Sequence, residues 1–92
     1  MSIKAYMILI KGRVTGVGFR YYTLQSVNKF HNITGYVRNV TSSKVEVLIQ
    51  GDNYDLMSVI ELLKVGPSGA RVTAFLCNEI PLNHMYVNFS IK

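Results

Sequence analysis

Gly12-Arg13-Val14-Thr15-Gly16-Val17-Gly18-Phe19-Arg20 separates an apolar run, Ala5-Tyr6-Met7-Ile8-Leu9-Ile10, from a segment of helical period. The succession predicts a strand, a tight loop and a helix start. Glycines let successive backbone N–H groups turn inward as a concave set of donors. The following helix N-terminus adds partial positive charge at the same point. Arg20 closes the run with a planar fork that matches phosphate oxygens. The loop reads as a holder for a small tetrahedral anion, and its plain alternative is a strand-to-helix turn with no ligand. Two familiar nucleotide loops are excluded. No Gly-Lys-Ser or Gly-Lys-Thr follows these glycines, and a dinucleotide fingerprint begun at Gly16 would need a third glycine where Tyr21 stands.

Outward from the loop, the apolar period changes in an ordered way. Residues 3–11 read as a mostly buried strand and residues 21–30 as a helix with Leu24 and Val27 on one side. Residues 34–39 read as a strand, and Thr41-Ser42-Ser43 as a turn. Residues 44–50 alternate Val45, Val47 and Ile49 on one face, the pattern of a sheet covered by helices on that face. Asp52 is placed to cap a second helix that carries a stripe of Leu56, Val59, Ile60 and Leu63 and stops at Gly66-Pro67. Residues 71–79 and 86–91 read as final strands. Two βαβ units around a hairpin make an α+β, ferredoxin-like sandwich. The expected form is an antiparallel sheet of five strands with two helices on one face, βαββαβ plus a final strand.

The chain has 92 residues, enough for one small domain over residues 1–92. Its net charge of +5 suits an anionic partner, but the basic residues are scattered and form no nucleic-acid tail. Cys77 is alone, so no internal disulfide can form. With no leader and no apolar run of membrane length, the expected setting is a reducing cytoplasm, and the expected state a monomer.

Most catalytic chemistries find no residues here. Cys77 sits in a predicted strand with no histidine near it in sequence, and reads as a buried core thiol. His31 and His84 fall at a helix end and in a loop without ligand partners at usable spacing, so no metal is expected. Asp52 and Asp55 are better explained as helix-start residues than as an acid–base pair.

Gly12 to Arg20 resembles the first signature of the acylphosphatase family, and Gly35-Tyr36-Val37-Arg38-Asn39 with Val45, Val47 and Gly51 resembles the second. Gly66-Pro67 and Ala70-Arg71-Val72 resemble the segment after that family's second helix. The likeness runs in unbroken register from about Ile8 to Val72. It implies the same ferredoxin-like fold, with the glycine loop beside the end of the strand that carries Asn39. It implies that Arg20 binds phosphate and that Asn39 positions water. The backbone amides of Thr15, Gly16, Val17, Gly18 and Phe19 would make the cradle. Two residues depart from the family pattern. Thr15 replaces a glutamine, which predicts a looser loop, and Ser43 replaces a glycine. A left-handed Ser43 would cost about 1–2 kcal/mol.

An anion cradle, one arginine and one asparagine suffice for hydrolysis of a carboxyl-phosphate anhydride. The leaving carboxylate has a conjugate acid of pKa ~4 and departs without protonation. Binding, charge stabilisation and an in-line water then remain to be supplied. The implied substrate is an acyl phosphate and the product inorganic phosphate, with no cofactor. Phe19 is expected to anchor the loop in the core, Tyr36 to pack on the sheet, Arg38 to face solvent, and Tyr21 and Tyr22 to pack along the helix, with bordering the acyl site as the alternative for Tyr21. Two other classes compete. A non-catalytic, anion-binding relative would bind phosphate without turnover. An RNA-recognition module shares the element order, but its stacking aromatics are missing from Val45-Glu46-Val47-Leu48-Ile49-Gln50.

Overall fold

The computed structural model of the chain describes residues 2–92. The elements run β1 (Ile3–Arg13), α1 (Phe19–Val27), β2 (Thr34–Thr41), β3 (Lys44–Asp52), α2 (Asn53–Val65), β4 (Arg71–Ile80) and β5 (Phe89–Ile91). The five strands form one sheet in the order β4-β1-β3-β2-β5. Alternation decides which side of it is covered. Ile8 and Ile10 from β1, Val37 from β2, and Val45, Val47 and Ile49 from β3 are fully buried. They meet Phe19 and Val27 of α1 and Leu56, Val59, Ile60 and Leu63 of α2 in one core. Each such side chain contributes about 1.5–3 kcal/mol on leaving water. The architecture is the expected α+β ferredoxin-like sandwich.

Register explains why one end of this sheet can hold a site. β1 is antiparallel to β3, and β3 to β2, with Ile10 opposite Val45 and Asn39 opposite Val45. β1 and β2 therefore point the same way, and both finish at the end where α1 begins. β5 joins them. It pairs parallel with β2, Gly35 opposite Phe89 and Val37 opposite Ile91, so the sheet is mixed where a wholly antiparallel one was expected. The chain leaves β4 on one edge and must cross to the other edge to start β5. That crossing takes up Tyr86, expected within the last strand; its ring packs on Tyr36 with centroids 5.8 Å apart. Only Phe89–Ile91 are left to pair.

Three other expectations change. α1 starts at Phe19, and its buried face includes Thr23 and Ser26. Their hydroxyls donate to the carbonyls of Phe19 and Tyr22, both at 2.8 Å, so polar residues pack without orphaned groups. Asp52 occupies the cap position of α2, but its side chain makes no capping bond. Cys77, expected in the core, is exposed, because β4 is an edge strand that pairs with β1 alone. Burial around the sulfur pushes the thiol's pKa up, with Lys64 opposing. The thiolate is thus disfavoured for a reason other than full burial.

Candidate active site

Gly16 and Gly18 take φ of 71° and 78°, the left-handed region. A Cβ at either would meet nothing within 4 Å. The constraint at both positions is therefore the backbone turn itself, which glycine makes without strain. The turn delivers the chain to α1 with Gly18 as the capping residue. No side chain caps this end and no acidic residue lies in the first turn. The Tyr22 N–H donates to the Gly18 carbonyl at 2.9 Å. The N–H groups of Phe19, Arg20 and Tyr21, which precede it, have no partner four residues back.

Phe19 is 1% exposed and fixes the first turn in the core. Its ring lies 6.0 Å from that of Tyr22, and the Tyr22 hydroxyl donates to the Leu62 carbonyl of α2 at 2.7 Å. The helix start is thereby held from below. Arg20, the next residue, points outward and is exposed. Its Nη1 donates to the main-chain oxygen of Lys92 at 3.2 Å. Among the described residues, the side-chain ion pairs are Lys4–Glu79, Arg38–Glu46 and Lys64–Glu61, so Arg20 is shared with no side-chain carboxylate. Arg20 and Asn39 line one cavity of about 250 Å³ together with Val14, Thr15, Gly16, Gly18, Phe19, Tyr21 and Ile91. Val17 is not on its wall; the Val17 side chain packs against the core.

The two departures from the motif lie in segments that hydrogen bonds join. The Thr15 hydroxyl donates to the Ser42 carbonyl at 2.5 Å. Beside it, the Gly12 N–H donates to the Ser43 carbonyl at 3.0 Å, and the Ser43 N–H to the Thr41 hydroxyl at 3.2 Å. The cradle loop is thus tied to the turn that follows Asn39, where a looser loop was expected. Among the described non-glycine residues only Asn32 has a positive φ, so Ser43 carries no left-handed strain. Thr15→Val keeps the shape and removes the donor. It should lower unfolding stability by about 0.5–1 kcal/mol in urea denaturation, while Thr15→Ser stays near wild type. Equal midpoints for the valine and serine variants would mean that the tie does not form.

Ile91 and Lys92 were not foreseen as neighbours of Arg20. They arrive because β5 runs parallel to β2, and nothing in their local pattern marks that pairing. Tyr21, expected to pack along the helix, is instead 61% exposed and lines the cavity. His31 and His84 lie elsewhere, in a hollow of about 500 Å³ at the opposite end of the sheet, where Ile3, Thr34 and Asp52 begin or end their strands. No group of three or more potential metal ligands occurs among the described residues, and none of their helices is long and apolar enough to cross a membrane.

Comparison with known proteins bears on the family and the fold. The acylphosphatase family model matches residues 6–91. The acylphosphatase of Aliivibrio fischeri is 43% identical over 79 residues, 86% of this chain and 87% of that protein. The crystal structure of acylphosphatase from Bacillus subtilis superposes with a TM-score of 0.89 at 33% identity, covering 99% of both chains. A full-length HypF in a phosphate- and nucleotide-bound form contains a similar fold, with a TM-score of 0.89, 30% identity, and 99% of this chain matched to 12% of that one. A family match across nearly the whole length, on a fold that superposes closely, places the chain in the acylphosphatase family and makes it an enzyme of that type.

Proposed function

We propose that this protein hydrolyses acyl phosphates by in-line attack of water on a phosphoryl group held by Arg20 and the backbone amides of Thr15 to Phe19, with Asn39 holding the water. The observation that carries this reading is the single cavity that Arg20 and Asn39 share at the uncapped start of α1. Arg20 neutralises charge on two phosphate oxygens through a bidentate contact. The loop amides and the positive end of α1 take the remaining charge. Asn39 enters from the end of β2, a different element from the one that grips the phosphate. That separation suits a water on the far side of phosphorus from the leaving carboxylate. The side-chain amide can accept one hydrogen bond from water and orient a lone pair toward phosphorus. No general acid is required, because the carboxylate leaves unprotonated.

Tyr21 and Ile91 stand at the rim, where the acyl portion would emerge. The substrate class is therefore carboxyl-phosphate anhydrides, and the products are a carboxylate and inorganic phosphate. A single cysteine, with no internal disulfide to form, accords with a reducing, cytoplasmic setting, and the scattered positive charge favours small anions over nucleic acid. We further propose that the 1–92 domain acts as a monomer.

The test is hydrolysis of benzoyl phosphate by wild type and Arg20→Ala, with a strong chelator present throughout. Turnover by wild type that vanishes in a folded Arg20→Ala supports the reading. A folded wild type that binds inorganic phosphate yet turns nothing over would replace it with an anion-binding role.

A further inference from the structure

The hollow at the end of the sheet away from Arg20 has a volume of about 500 Å³, within the roughly 300–1,000 Å³ span of small-molecule sites. Its walls are fixed by bonds from three parts of the chain. Gln50, 8% exposed near the end of β3, donates from Nε2 to the Asn83 carbonyl at 2.6 Å and accepts the Asn83 N–H at 3.0 Å. That pair pins the segment that carries Leu82 and His84. Beside His31, Asn32 takes a φ of 67°, which asparagine tolerates. The turn brings the Asn32 carbonyl against Gly51, where a Cβ would come within 3.2 Å of that oxygen. Glycine at position 51 therefore leaves room for the loop. The start of α2 is held through Asn53: the Tyr6 hydroxyl donates to its Oδ1 at 2.8 Å, and its N–H donates to the Ser2 carbonyl at 2.7 Å.

Groups of both signs line this hollow. Asp52 and Asp55, both half-buried, come from the start of α2, whereas Lys29 and His31 follow α1 and His84 follows β4. None of the five is in an ion pair, since the side-chain pairs among the described residues are Lys4–Glu79, Arg38–Glu46 and Lys64–Glu61. The positive end of α2 alone would account for the two carboxylates. It does not account for basic side chains from two other segments lining the same space. Ile3, Phe30 and Leu82 add apolar wall. A ligand of one charge sign would satisfy only part of this lining. One that carries an ammonium and a carboxylate on an apolar body matches all of it. The aspartates accept from the ammonium, and the Lys29 ammonium and imidazole N–H groups donate to the carboxylate.

We propose that this hollow is a second ligand site that takes a small zwitterion with an apolar body, the class of the apolar α-amino acids. Its residues are distinct from those that line the cavity of Arg20 and Asn39, so the ligand does not compete with phosphate. The proposal stands apart from the reading of that cavity, and holds whether or not the protein turns over acyl phosphates.

The test is NMR titration of the isotope-labelled protein with L-phenylalanine and with two probes that each lack one of its charges, phenylpropanoate and phenylethylamine. L-Phenylalanine should move the backbone amide signals of Asn32, Gly51, Asp55 and His84 with a dissociation constant on the order of 1 mM. Each of the other probes should bind about fivefold more weakly, the loss of one partly exposed ion pair. Replacing both carboxylates, Asp52→Asn with Asp55→Asn, should reduce L-phenylalanine to the affinity of phenylpropanoate. Lys29→Met should reduce it to that of phenylethylamine. Equal affinity of wild type for all three probes overturns the proposal, because the hollow is then an apolar recess without charge recognition. Absence of shifts at about tenfold that concentration also overturns it. So do shifts confined to residues 16–20, which would put the carboxylate in the loop beside Arg20. Phenylpropanoate should bind the aspartate variant as it binds wild type; if it does not, that variant has lost the hollow itself, and Lys29→Met decides.

Discussion

Arg20→Lys should be nearly as inactive as Arg20→Ala toward acyl phosphates, each losing at least about a hundredfold in kcat/KM. The reason is geometric before it is electrostatic. Lysine preserves the charge but concentrates it at one point on a flexible stem, whereas the guanidinium offers parallel donors to two oxygens at once. Arg20 leaves the first turn of α1 at a fixed place because Phe19 is buried beneath it. Its one bond to the main-chain oxygen of Lys92 leaves the rest of the fork available, whereas a single ammonium has no second planar donor pair to offer. Because the side chain is exposed, both variants should unfold within about 0.5 kcal/mol of wild type. Inhibition by inorganic phosphate should weaken in parallel with activity, since substrate and product share the grip. A lysine variant with more than about a tenth of wild-type kcat/KM would show that point charge suffices, and the bidentate contact would have to be given up.

What could be read in advance depended on whether a residue's role is local. β1, β3 and α2 announce themselves because their buried positions are apolar at periods of two or 3.6, as with Val45, Val47 and Ile49, or Leu56, Val59, Ile60 and Leu63. α1 is less legible because Thr23 and Ser26 occupy its inner face and satisfy their hydroxyls on the preceding turn. The exposure of Cys77 could not be seen, because it depends on β4 being an edge, which is a property of strand order. The parallel pairing of β5 was hidden for the same reason, and with it the arrival of Ile91 and Lys92 at Arg20. The cost expected at Ser43 depended on a turn geometry that the chain does not adopt. The glycine loop and Arg20 were legible because backbone turn, helix start and side chain are contiguous. Asn39 was legible only through its resemblance to a family motif; no local pattern distinguishes it from any other asparagine at a strand end.

That difference makes Asn39→Ala the sharper probe of mechanism. It should lower kcat at least about a hundredfold, as loss of a group that orients a reactant does, while the inhibition constant of inorganic phosphate stays within about twofold. The expectation follows from where Asn39 comes from. It is exposed at the end of β2, opposite Val45, on the last regular pair before the register shifts toward Thr41. The proposed phosphate cradle lies on the loop and α1, whose bonds to the neighbouring turn run through Thr15, Ser42, Gly12 and Ser43 and do not involve the Asn39 side chain. Truncation at Cβ therefore leaves the cradle, the tie and the β2–β3 pairing in place. Binding and turnover should separate, because the proposed reading gives phosphate to one element and water to another. Full activity in Asn39→Ala would remove the water-positioning role. Equal losses in phosphate affinity and kcat would instead make Asn39 part of the grip, and the attacking water would then have to be held by the phosphate itself.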